Sequence, residues 1–169
     1  YIQQKNLSHQ PHIWHPGEEE DADTFRLDKN IYTLPRNRGL GSLKSLWSRL
    51  PDEVKEFDIL HQHGIWTPVS LLSLKIKKKY DIKSVVQPHG FLEPLRLEMS
   101  KYKKKAALKL FEDFNLKNCS ALIACSENEA EKLKSLYPKN DIAIIHNGIS
   151  KGFIENLEES SPIPKKWQF

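Results

Sequence analysis

Four short segments of this chain end in side chains that can bind ligands or move protons. They are His61 and His63 with Gly64 and Trp66, then His89 with Gly90, then Ser126 with Glu127, and last His146 with Asn147 and Gly148. Imidazole titrates close to neutrality, so it can take or give a proton, or hold a hydroxyl, under mild conditions. Four of the seven histidines fall in these segments. The glycines allow close approach of backbone to a ligand. His61 and His63 are two apart and project from one face of a strand. With His89 they could form a three-histidine metal site, but no carboxylate or cysteine stands at the spacing that completes a familiar ligand set. A histidine at a strand end can also simply cap backbone groups.

Several chemistries lack their motif. There is no G-x-S-x-G elbow for a serine hydrolase. Neither G-x-G-x-x-G nor G-x-x-x-x-G-K occurs, and Gly39-Leu40-Gly41 has the context of neither. Cys119 and Cys125 are not spaced as a redox C-x-x-C, and Cys125 is expected in the core. Lys103-Lys104-Lys105 lacks interleaved aromatics apart from Tyr102, unlike a single-strand nucleic-acid groove.

The elements that would position these residues follow from periodicity. Phe57–His61 reads as a strand running into His63-Gly64. Thr67-Pro68 supplies an N-cap and a first-turn proline for a helix with Val69, Leu72 and Ile76 inward, ending at Tyr80. Ile82–Gln87 is a second strand, followed by a loop from Phe91 to Leu95. A long helix is expected over about Ser100–Leu116, burying Ala107, Leu110, Phe111 and Phe114 and turning Lys101, Lys105 and Lys109 elsewhere. Ala121–Cys125 is a buried strand, and Ser126 with Glu129 forms an S-x-x-E capping box for a helix burying Ala130, Leu133 and Tyr137. Ile142–Ile145 is the fourth strand, closed by Asn147-Gly148.

Strands alternating with helices over such short crossovers imply a doubly wound, mainly parallel α/β sheet. Ligands of such sheets bind beyond the carboxyl ends of the strands, near the switch point in strand order. The side chains named first therefore share one rim. Upstream, His12–His15 suggests a strand, Thr24–Leu34 a hairpin and Leu43–Leu50 a short helix. From Lys151 the chain reads as a connector.

The 169 residues fit one domain with tails. With 38% hydrophobic residues, four Trp and seven Phe there is material for a core, and no apolar run approaches a membrane span. Two cysteines in apolar settings suggest a reduced, cytoplasmic protein. The net charge of +4 hides an uneven distribution. Eleven Lys/Arg against three Asp/Glu between Lys75 and Lys109 give a local balance of +8, leaving −4 elsewhere. Such a segment is either a solvated helix face or a surface that meets phosphates.

The ordered segments "FDILHQHGIWTP", "VVQPHGFLEP", "ACSENEAEKLK" and "IIHNGIS" resemble the N-terminal half of family 4 glycosyltransferases, retaining enzymes of the GT-B fold. The resemblance spans about residues 55–150. It implies a Rossmann-like, mainly parallel sheet and transfer of a sugar from a nucleotide-sugar donor to a glycan or lipid-linked acceptor, as in building a bacterial polysaccharide. His89 corresponds to the histidine that reaches the transferring sugar, with Gly90 giving it room. His61, His63 and Gly64 match the H-x-H-G segment of the same cleft, and Trp66 could stack on the acceptor. Ser126 and Glu127 match the serine-glutamate pair, and Asn147 and Gly148 the turn leading to a second domain.

The resemblance also carries expectations about what the chain lacks. The family's first strand and glycine-rich loop, and its two donor-domain glutamates eight positions apart, are not found. Together with a start at Tyr1, this suggests a piece of a longer enzyme. Residues 1–150 would be an incomplete acceptor-side domain and 151–169 a linker to a donor-binding domain, and the piece alone would be inactive. No metal or cofactor is implied, the nucleotide sugar being a substrate. Lys101, Lys104, Lys105 and Lys109, with Leu95 and Leu97 nearby, could sit against the anionic inner face of a membrane. The rival reading is a non-catalytic α/β module whose basic helices engage phosphate or nucleic acid.

Overall fold

The β-branched and apolar runs pair side by side in the computed structural model, which describes residues 9–17, 31–35 and 52–148. Strands β1 (Ile13–Gly17) and β2 (Ile31–Pro35) form a parallel pair, Ile13 opposite Ile31. The hairpin expected over Thr24–Leu34 lies outside the described residues except for its last four, which belong to β2. The helix expected over Leu43–Leu50 and the connector over 151–169 also lie outside them. Trp14 of β1 and the preceding His12 pack on the ring of Phe57, at 5.7 and 4.7 Å between centroids.

After a 3-10 turn at Asp52–Glu56 come β3 (Ile59–His63), β4 (Lys83–Gln87), β5 (Ala121–Ala124) and β6 (Ile142–Ile144). They make one sheet in that order, and every neighbouring pair is parallel. The α/β expectation therefore holds. Spatial order follows chain order, so no reversal of strand order lies among these four strands.

Register decides which side chains reach which face. His61 stands opposite Val85 and His63 opposite Gln87, while Val86 stands opposite Leu122. With side chains alternating along a strand, Leu60, Gln62, Val86, Leu122 and Ala124 point to one face and His61, His63 and Gln87 to the other. Right-handed crossovers place the connecting helices on the first face. There Val86, Leu122 and Ala124 meet Leu116 and Leu133 in one core cluster. Leu60 packs against a second cluster of Val54, Leu72, Ile76 and Ile82.

The first crossover helix, α1 (Pro68–Tyr80), turns Leu72 and Ile76 inward as its spacing requires, and Asp81 ends it in the left-handed conformation. The expected loop after β4 contains a short helix, α2 (Pro94–Glu98), started by its proline. The last crossover helix, α5 (Glu127–Leu136), buries Leu133 and half-buries Ala130, with Tyr137 buried just past its end. Both cysteines are free thiols.

The long helix departs from expectation. It runs as α3 (Lys101–Ala107), a π-helical turn (Leu108–Glu112) and α4 (Asp113–Asn118). Leu110 and Phe114, expected inside, are 78% and 63% exposed, whereas Glu112, Asn115 and Leu116 are buried. A π turn takes in one extra residue, which rotates everything downstream by about 100°. The rotation brings Glu112 and Asn115 to polar partners beneath β3, and those partners outweigh the apolar burial that the sequence pattern favours.

Two substitutions separate this register from an uninterrupted helix. Leu116→Ala should lower unfolding free energy by about 2–5 kcal/mol. Leu110→Ala should change it by no more than about 0.5 kcal/mol. Urea denaturation of both variants checks the pair of values.

Candidate functional site

The strand ends converge because their turns are tied to one another. Gly64 donates its N–H to the Gln87 carbonyl at 2.8 Å, joining the ends of β3 and β4. Gly64 and Trp66, at φ +75° and +70°, both lie in the left-handed region, as do His89 and Gly90 at +56° and +71°. For non-glycine residues such as Trp66 and His89 this conformation costs on the order of 1–3 kcal/mol and needs external support.

Two buried carboxylates give that support. Glu112, lifted into place by the π turn, accepts the Trp66 N–H at 2.9 Å through Oε2 and an Asn115 Nδ2 hydrogen at 3.1 Å through Oε1. Asn115 also donates to Gln62 Oε1, and Gln62 Nε2 donates to the Gly64 carbonyl and to Ser70 Oγ. Burial raises the Glu112 pKa, although the bonds from Trp66, Asn115 and Ser70 pull it back. Glu129 accepts the Gly90 N–H at 2.6 Å and the Cys125 N–H at 2.7 Å, while its own N–H donates to Ser126 Oγ. The capping box is thus half as expected. Its serine bond forms, but the glutamate takes the N–H of Cys125, one residue before the cap, and that of Gly90 in the neighbouring rim turn in place of the Ser126 N–H.

On the face away from the helices the imidazoles stack. The His61 and His63 rings lie 4.2 Å apart and those of His63 and His89 5.3 Å apart, with His63 Nδ1 3.0 Å from His89 Nε2. Cys125 Sγ stands 3.4 Å from His89 Nδ1 and 3.5 Å from Asn147 Oδ1, and it accepts from Gln87 Nε2 at 3.2 Å. Partial burial, then the proximity of His61 and His89, pushes the His63 pKa down to about 4. His61 is lowered too, chiefly by burial and against its hydrogen bond with Gln87. Rings packed this closely resist holding charge together.

His89, Gly90, Cys125, Ser126 and Asn147 line an open pocket of about 370 Å3, joined by Glu93, Asn128 and Glu129. Carboxylates, amides, a hydroxyl and an imidazole face it, with no lysine or arginine in the lining. That set suits a ligand rich in hydroxyl groups. Trp66 is half-buried, its indole N–H donating to the Phe91 carbonyl at 3.3 Å. His146 Nδ1 lies 2.9 Å from the Cys125 carbonyl, the backbone-capping role open to any strand-end histidine. Glu127 and Gly148 are exposed and stand outside the pocket. Among the described residues no group of three His, Cys, Asp or Glu is arranged to hold a metal ion.

Gln87, Glu112 and Cys125 were not expected here, and Glu129 only as a cap. S-x-x-E was the single signal for any of them, because the others reach the rim through strand register and the π turn. Residues 3–152 match the family model described as Glycosyltransferase Family 4. No curated protein matches the chain.

The histidine stack has a consequence for stability. Folded His63 stays neutral down to about pH 4, whereas an unfolded imidazole takes up its proton near pH 6.5. The unfolded state binds more protons across that window, so the histidine's effect is absent above about pH 6.5 and stability falls from there towards pH 4. His63→Gln should fall less steeply than wild type between about pH 7.5 and about pH 5. Urea unfolding at the two pH values decides, and parallel losses in both proteins would count against the stack.

Proposed function

Because this chain belongs to glycosyltransferase family 4, we propose that it is the acceptor-side domain of a retaining transferase that moves a sugar from a nucleotide-sugar donor to a glycan or lipid-linked acceptor. The observation that carries the reading is the convergence of His63, His89, Cys125 and Asn147 at the carboxyl ends of parallel strands, in hydrogen-bonding contact beside a hydroxyl-suited pocket. Residues 1–150 form this domain, and 151–169 lead to a second domain that holds most of the donor. The nucleotide sugar is a substrate, and the site uses no further cofactor.

In this reading His89 meets the transferring sugar, with Gly90, Ser126 and Asn147 around it. His61, His63 and Gly64 line the approach, and Trp66 borders it. An acceptor hydroxyl attacks the anomeric carbon from the face on which the nucleotide diphosphate departs. The new C–O bond forms as the anomeric carbon–oxygen bond to phosphate breaks, and the hydroxyl proton passes to the departing phosphate oxygen. No pair of catalytic carboxylates is needed. The domain's contribution is alignment and stabilisation of developing charge.

A membrane position fits the same enzyme. Leu95, Met99, Tyr102, Leu110 and Phe114 are 61–87% exposed, and they alternate with Lys101, Lys104, Lys105 and Lys109. Lys101 pairs with Glu98 at 2.9 Å, and the Lys104 ammonium donates to the Arg96 carbonyl. Exposed apolar side chains interleaved with cations match an anionic bilayer surface, the cytoplasmic leaflet for a lipid-linked acceptor. Among the described residues no helix is long and apolar enough to cross a membrane.

Two measurements test these readings. With a panel of nucleotide sugars, the 169-residue chain alone should give no transfer. The chain joined to its donor domain should transfer sugar, and His89→Ala, by loosening the alignment of the transferring sugar, should cost that enzyme about 100-fold in kcat. An unaffected His89→Ala variant would remove the assigned role. Sedimentation with phosphatidylglycerol vesicles should show binding that weakens as salt rises and is absent from phosphatidylcholine. Equal binding to both would remove the anionic-membrane reading, and salt-dependent DNA binding in its place would favour the nucleic-acid alternative.

A further inference from the structure

The contacts around Cys125 determine where the hydrogens of the histidine stack lie. Cys125 Sγ carries one hydrogen and touches three groups. Gln87 Nε2 has hydrogens of its own and donates to the sulfur. Asn147 Oδ1 has none, so the thiol hydrogen goes to it. The remaining neighbour, His89 Nδ1, lies 3.4 Å from a sulfur with no hydrogen left to offer, and must therefore be the N–H donor of that contact. A neutral imidazole with its hydrogen on Nδ1 has a bare Nε2. His89 Nε2 is 3.0 Å from His63 Nδ1, so His63 is the donor there and keeps its own lone pair on Nε2.

We propose that Cys125 and Asn147 set the tautomers of the stacked pair, so that His63 Nε2, and neither nitrogen of His89, is the open hydrogen-bond acceptor of the rim. Both His89 nitrogens are occupied, one by sulfur and one by its neighbour. Among the described residues nothing bonds His63 Nε2, and His63 is only partly buried. The depressed His63 pKa agrees with a ring that stays neutral and keeps that lone pair. A ligand hydroxyl would then be received by His63, while His89 meets the sugar through its ring carbons and backbone. Cys125 is a positioning residue in this scheme. It acts through His89 and touches no reacting atom. The identity of the ligand as a sugar rests on the glycosyl-transfer reading, but the tautomer assignment does not.

The test is long-range 1H–15N correlation on histidine-labelled protein at about pH 8, where imidazoles are neutral. Wild type should show hydrogen on Nδ1 and a bare Nε2 at both His63 and His89. Cys125→Ser, which keeps a donor and an acceptor at that point, should preserve the pattern. Cys125→Ala should release His89 into a mixture of tautomers, with its thermal unfolding reporting separately whether it is folded. Hydrogen on Nε2 of His63 in wild type, or an alanine variant indistinguishable from wild type, overturns the proposal.

Diethyl pyrocarbonate supplies a second reading, since it acylates an unprotonated, unengaged imidazole nitrogen. Peptide mass spectrometry should find His63 modified faster than His89 by about tenfold, as expected when the competing nitrogen is held in a hydrogen bond. Faster modification of His89 counts against the proposal. Loss of transferase activity in every form of the enzyme would remove the functional reading and leave these tautomers as measured.

Discussion

A single carboxylate holds the rim together. Glu129 is 5% exposed, and its two oxygens take the backbone N–H groups of Gly90 and Cys125. A carboxyl group so deeply placed is costly unless hydrogen-bonded, and here both of its oxygens accept from backbone N–H donors. Both partners lie directly beside functional side chains. Gly90 follows His89, and Cys125 is the residue whose thiol meets His89. The bridge therefore sets the distance between two strand-end turns that are 35 positions apart in the chain.

The neighbouring turn solves the same problem with different parts. Gly64 and Trp66 both adopt left-handed backbone, and the Trp66 N–H is answered by Glu112. Glu112 can reach it because of the π turn in the long helix, which sends Leu110 and Phe114 outward. One local irregularity thus has two effects. It braces the turn that carries His63, and it leaves Leu110 and Phe114 exposed beside the basic residues. Strain at the rim and irregularity in the helix are compensated by a polar network of Gln62, Ser70, Glu112 and Asn115, closed in the interior.

Much of the frame was legible beforehand because its signals are local. The strands at Lys83–Gln87 and Ala121–Ala124, the proline-started helix to Tyr80 and the serine cap at Ser126 each follow from a few adjacent residues. Strand-end placement of His63, His89, Ser126 and Asn147 follows from the same alternation. Illegible were the partners that act across sequence distance. Nothing near Glu112 signals that it pairs with Trp66, 46 positions away. Apolar spacing argued for burying Leu110 and Phe114, and it failed because desolvated polar groups with complete hydrogen bonding competed for the same face.

By itself the sequence determined the alternation of strands and helices, the family, and which residue types stand at the strand ends, since these depend on short-range pattern and ordered motifs. Tertiary structure alone decided that three imidazoles stack, that Cys125 lies against His89 and not in the core, and that two glutamates serve as braces. The physical reason is that hydrogen-bond geometry depends on strand register and on the rotation of a helix about its axis. A shift of one residue in either moves every side chain to another face.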